Sequence, residues 1–163
     1  MTVATAESLA ALYADDETAW LEAMAALVRR RDLAGLNLDN LSEYLTDMAQ
    51  RDRREVKSRL VVLLAHLLKW ECQREKRSRS GRTTVLNQRQ ELADLAGRGV
   101  LRAHAEAVLP KAYANAVELA ASETGLPLAT FPADCPYTIE QLFTIDPSAG
   151  EAAADATGSS PPN

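Results

Sequence analysis

The 163-residue chain is poor in the residues on which most enzyme chemistry is built. Its two histidines, His66 and His104, each lack a second histidine or a carboxylate at i+4, so the usual helical zinc pattern is missing and no metal site is expected. Its two cysteines, Cys72 and Cys135, stand 63 positions apart, a spacing that matches no zinc or redox motif and reads as two free thiols of a cytoplasmic protein. Cys135 lies among acidic and proline residues that would not lower its pKa. No serine occupies a strand-to-helix elbow. Gly97-Arg98-Gly99 lacks both the preceding strand and the lysine of a phosphate loop, so no cofactor is expected either. No charge-free run approaches the roughly 18 residues of a membrane span. The first fourteen residues lack the positive flank and compact apolar segment of a signal peptide.

What the chain does have is alanine and leucine, within a hydrophobic content of 47%. β-Branched residues are few, and glycine and proline crowd toward the C-terminal third. This composition predicts an all-α protein, a single compact bundle of about five helices spanning residues 1–145. Residues 146–163, rich in Ala, Gly, Ser, Pro and acids, are expected to form a disordered tail.

Periodicity locates the helices. The first covers about 5–31, with a break foreseen near Asp15 and Asp16, and carries Leu9, Leu12, Tyr13, Trp20, Met24, Leu27 and Val28 as its apolar stripe. Asn40 followed by Glu43 resembles a capping pair. From there a helix can run without glycine or proline to about Gln73, as one element or as two broken near residues 50–54. Its second half, about 55–73, carries Leu60, Val61, Val62, Leu63, Leu64, Leu67 and Leu68 around nearly the whole circumference, which predicts the buried centre of the bundle. Further helices are expected over about 83–96 and 101–124. Pro110 should kink the latter or start a new segment, and Gly125 with Pro127 should stop it. After a proline-stiffened crossing at residues 131–136, Thr138 and Gln141 fit a capping box for a short last helix.

Charge is distributed unevenly. Residues 51–102 hold 14 of the 18 bases against 6 acids, a local excess of 8, which leaves −13 for the remainder of a chain whose formal charge is −5. The excess can serve an anionic partner or be neutralised by the acidic helices of the same fold.

Tyr13, Asp16, Trp20, Leu38-Asp39-Asn40-Leu41, Arg59-Leu60, His66-Leu67-Leu68-Lys69-Trp70, Arg77-Ser78-Arg79-Ser80, Glu123-Thr124-Gly125-Leu126-Pro127 and Phe131-Pro132 through Cys135-Pro136-Tyr137 form a pattern. It resembles that of the bacterial domain-of-unknown-function family 29 over about residues 8–145. The resemblance implies a compact all-helical bacterial protein, often the only domain of its chain, and implies no activity. Gly81 stands where relatives are expected to carry tryptophan, and Pro110 interrupts a helix that relatives continue.

Two regions attract functional readings. His66 and Trp70 are i, i+4 neighbours at the end of the central helix, with Lys69 off the opposite edge. By 100° steps His66 lies about 120° from the core direction, at its rim. With Asp16 as carboxylate partner, Glu43 or Asp47 as the next choice, and Trp20 one turn beyond Asp16, His66 could act as a general base or ligand contact; alternatively it is a hydrogen-bonded rim residue, with Trp70 closing the core. The second region is the run Arg74, Lys76, Arg77, Arg79 and Arg82, with Ser78 and Ser80 interleaved. These side chains could contact phosphates, or cap the C-terminus of the central helix and pair with acids nearby.

Three functional readings follow. The leading one is a non-enzymatic module that self-associates or docks a protein, with Leu41, Leu45 and Met48 as a candidate apolar face. The next is a nucleic-acid-binding module using residues 51–82, and the third an enzyme centred on His66, Trp70 and Asp16. No catalytic constellation stands out, so the reading leans away from an enzyme.

Overall fold

The structure, a computed structural model, describes residues 6–149; residues 150–163 of the expected tail lie outside it. The described residues form six α-helices and no strand: α1 (Ala6–Asp15), α2 (Glu17–Arg30), α3 (Leu38–Cys72), α4 (Arg79–Ala96), α5 (Gly99–Thr124) and α6 (Ile139–Thr144). The protein is all-α, as its composition predicts. Packing divides the chain between Arg51 and Asp52 into two compact units.

In the first unit the foreseen break near Asp16 is real. Asp16 leaves the helical region (φ −148°) and its Oδ1 accepts from Ala19 N at 3.0 Å, capping α2. Leu9, Trp20, Met24 and Leu27 are buried there. The rings of Tyr13 and Tyr44 flank Trp20, with centroids at 4.7 and 5.6 Å. α2 ends in a left-handed residue, Arg31 (φ 58°), with the paired bonds Asp32 N to Leu27 O and Arg31 N to Val28 O of a Schellman turn. The Asn40/Glu43 cap is not used: α3 begins at Leu38, so Asn40 already lies inside its first turn.

α3 is one helix of 35 residues, uninterrupted at 50–54. In the second unit its Val56, Leu60, Leu63, Leu64, Leu67 and Leu68 are buried together with Val85 and Leu92 of α4 and Ile139 and Leu142 of α6. α5 adds Ala105, Ala112, Ala116 and Ala120, all fully buried, and methyl-sized side chains let its backbone approach α4 closely. α5 passes through Pro110 without starting a new segment. Pro110 offers no N–H to the Glu106 carbonyl, and its exposed position lets water take that bond. Gly125 (φ 73°) ends the helix as expected, and the Thr138–Gln141 capping box is complete, with bonds of 2.9 and 3.2 Å.

Asp146, assigned from composition to the tail, is held in place. Its carboxylate accepts from Arg82 Nε and NH2 at 3.1 and 2.6 Å, and from Ser148 N and Oγ at 3.0 and 2.8 Å. Arg89 donates to the Thr144 and Ile145 carbonyls, fixing the same segment to α4.

Candidate functional site

The end of α3 and the start of α4 are joined by a short 3-10 turn, Arg74–Lys76. α4 begins at Arg79, four residues earlier than periodicity suggests. Ser78 is an N-cap in extended conformation whose Oγ accepts from Gly81 N at 3.1 Å. Gly81 therefore sits in the first turn, where a Cβ would lie 3.7 Å from the Trp70 ring and 3.3 Å from Ser78 Oγ.

Trp70 anchors this junction. It is buried, and its carbonyl, one of those left open at the end of α3, accepts from Arg77 Nε at 2.8 Å. The same guanidinium lies 5.2 Å from the centre of the Trp70 ring, and its NH2 is 3.9 Å from Glu71. Beside this stack opens a cavity of about 590 Å³ lined by His66, Lys69, Trp70, Gln73, Lys76, Arg77, Ser78, Ser80, Gly81, Thr84 and Glu123. Lys69 forms an ion pair with Glu123. His66 is half-buried, and burial, reinforced by the Lys69 charge and opposed by Glu123, pushes its pKa below the ordinary histidine value.

The five bases of the run are used unequally. Arg77 caps α3, as the capping alternative requires, and Arg82 is neutralised by Asp146. Arg74, Lys76 and Arg79 are exposed and have no ion-pair partner among the described residues. Arg79 and Arg82 also occupy the first turn of α4, which contains no acid, so cations stand at the positive end of a helix dipole.

His66, Lys69 and Trp70 thus share one cavity wall, while Asp16 and Trp20 belong to the first unit, one as a helix cap and the other as its buried centre. The carboxylate that shares the cavity with His66 is Glu123, 54 positions from Lys69. No local periodicity signals it. His104 lies elsewhere in the second unit, with Nε2 3.2 Å from the Arg53 carbonyl. Cys72 and Cys135 are free, and burial raises both thiol pKa values, which keeps them protonated near neutrality. Among the described residues no three His, Cys, Asp or Glu side chains cluster as a metal site, and no helix is long and apolar enough to cross a membrane.

A second, larger cavity of about 1000 Å³ lies between α5 and residues 128–137. It was not legible in the sequence, which marks the proline-stiffened crossing but not the hollow it leaves. On the apolar face proposed from the sequence, Leu45 is 59% exposed and Met48 is half-buried, whereas Leu41 packs against the core of the first unit; Leu38, not part of that face, is 60% exposed.

Fold and site together define an all-α protein with a cation-lined cavity where two of its helices meet. The chain belongs to the family described as Domain of unknown function DUF29, whose model matches residues 12–146. No curated protein and no solved structure matches it.

Proposed function

We propose that this protein is a non-enzymatic binding module that takes a phosphate group of an anionic ligand at the α3–α4 cavity. The observation that carries this reading is that Lys69, Lys76 and Arg77 line the cavity and that Lys76, like the exposed Arg74 and Arg79 near it in sequence, has no acid partner among the described residues. Cations at a helix N-terminus are electrostatically unfavourable by about 0.3–1 kcal/mol each, and an anion bound there removes that cost. Ser78 and Ser80, whose hydroxyl oxygens lie 3.1 Å apart so that one of the two keeps its proton free, add a hydroxyl donor to the same wall. The protein-contact reading rests on Leu38 and Leu45, which supply no polar feature that would name a partner; the phosphate reading is the more specific of the two.

Binding of pyrophosphate and of a fluorescein-labelled single-stranded oligonucleotide across a salt series tests it. Three neutralised cations give a log–log salt slope of about −2 for the oligonucleotide. Replacing Arg74, Lys76 and Arg79 together by glutamine should abolish binding of both probes while leaving the helical circular dichroism intact. Pyrophosphate binding alone identifies a small phosphate ligand; oligonucleotide binding with that slope identifies a nucleic acid. Absence of binding of either probe at low salt overturns the reading.

A further inference from the structure

The larger cavity has a chemistry of its own, independent of the phosphate site. One wall is a stripe of α5, Leu109, Pro110, Tyr113, Ala114, Val117 and Glu118, which share a face at helical spacing. The opposite wall is residues 128–137, a segment without regular secondary structure beyond the turn Leu128–Thr130.

That second wall is held in position at several points. Tyr113 Oη donates to the Pro132 carbonyl at 2.7 Å, and Cys135 Sγ donates to the Tyr137 carbonyl at 3.4 Å. Phe131 is buried in the core beneath it, and Ile139, just beyond, is buried as the first residue of α6. Pro132 and Pro136 fix two of its φ angles, and Pro127 fixes the one just before it. The hollow is therefore preformed. Its volume, about 1000 Å³, lies at the upper end of the range of small-molecule sites.

The lining is aliphatic and aromatic apart from two charged residues, Glu118 and Asp134. Both are exposed, and neither has an ion-pair or hydrogen-bond partner among the described residues. No base lines the cavity. The phenol of Tyr137 and the thiol of Cys135 are both kept neutral by burial, the former with its pKa pushed up to about 12, so they add polar contacts without charge.

An apolar interior with two unpaired carboxylates and no cation selects one class of ligand. We propose that the cavity between α5 and residues 128–137 binds a small amphipathic amine, its apolar body against Leu109, Tyr113, Val117 and Phe131 and its ammonium group held by Glu118 and Asp134. An amine satisfies both halves of the lining. A carboxylate of the same shape meets repulsion from the two acids, and a neutral analogue gains only the apolar contacts.

The test is a two-dimensional NMR titration of the full chain with 4-phenylbutylamine, 4-phenylbutanol and 4-phenylbutyrate. The amine is expected to shift the methyl signals of Leu109 and Val117 and the amides of residues 128–137. It should bind about tenfold more tightly than the carboxylate, with the alcohol between them. The E118Q/D134N double variant should bring the amine down to the affinity of the alcohol. Both positions are exposed, so the fold is preserved. A114W, at another exposed position in the wall, should block all three probes at unchanged melting temperature. Equal binding of amine and carboxylate, binding that survives A114W, or absence of shifts in the cavity walls at millimolar amine would overturn the proposal.

Discussion

Arg77 is bound to Trp70 twice: its Nε donates to the tryptophan carbonyl at 2.8 Å while its guanidinium carbon lies 5.2 Å from the ring centre. One side chain thus closes the end of α3 and covers the indole that fills the junction with α4. Planarity makes this feasible, because a guanidinium can stack on a ring and donate in its own plane.

Arg77→Ala should therefore destabilise the protein by about 2 kcal/mol, the sum expected for one charge-assisted hydrogen bond and a partly shielded cation–π contact. Arg77→Lys should recover less than half of that loss, since an ammonium cannot make both contacts at once. Urea denaturation followed by circular dichroism measures both; full recovery by lysine would show that only the charge matters.

The pairing with Arg82, together with the Ser148 donors, holds the Asp146 carboxyl well below the usual carboxylate range. A carboxylate whose folded pKa is depressed contributes stability that is complete above its unfolded value and is lost as pH falls through the depressed one. Protection of residues 144–148 from proteolysis should consequently persist at neutral and mildly acid pH and decline only in strong acid. In Asp146→Asn it should be low throughout, with no acid transition of its own. Protection unchanged in that variant would refute the anchoring role.

His66 has the opposite charge type and a lowered pKa. Its folded state prefers the neutral ring, so the unfolded chain binds more protons between the lowered value and the ordinary one, and stability falls as pH drops through that window. Removing the neighbouring cation with Lys69→Gln should raise the His66 pKa. Glu123→Gln, which removes the opposing charge, should lower it further. Ring-proton NMR titration reads both directions, and movement in the same direction in the two variants would contradict the placement of the two charges.

At Arg31 the backbone has the left-handed conformation that glycine adopts without steric cost. Arg31→Gly should raise stability by about 1 kcal/mol, seen as a higher melting temperature of the first unit. A decrease would mean that the arginine side chain makes a contact worth more than the backbone strain.

Much of the fold was legible because its signals are local. The circumferential leucines of residues 60–68, the stop at Gly125 and the Thr138–Gln141 box each follow from residues within one or two turns of one another. Errors arose where a local pattern had two meanings. The Asn40 and Glu43 spacing fits a cap, yet nothing upstream prevents the helix from starting at Leu38. Arg77-Ser78-Arg79-Ser80 reads as a basic run, which hid the N-cap role of Ser78. The site itself was half legible: His66, Lys69 and Trp70 are neighbours on one helix, whereas Glu123 and Asp146 reach their partners across 54 and 64 positions. The hollow beside α5 depends on how a proline-rich segment lies against a helix, and that is written in no single stretch.

The chain has two tryptophans, and each is buried in a different unit, Trp20 in the first and Trp70 in the second. Intrinsic fluorescence is therefore already site-resolved in this protein. Trp20→Phe leaves an emission that reports the α3–α4 junction alone, and Trp70→Phe leaves one that reports the packing of α1, α2 and the start of α3. Whether the two units melt as one cooperative body or in sequence can be read from these two spectra without attaching any dye.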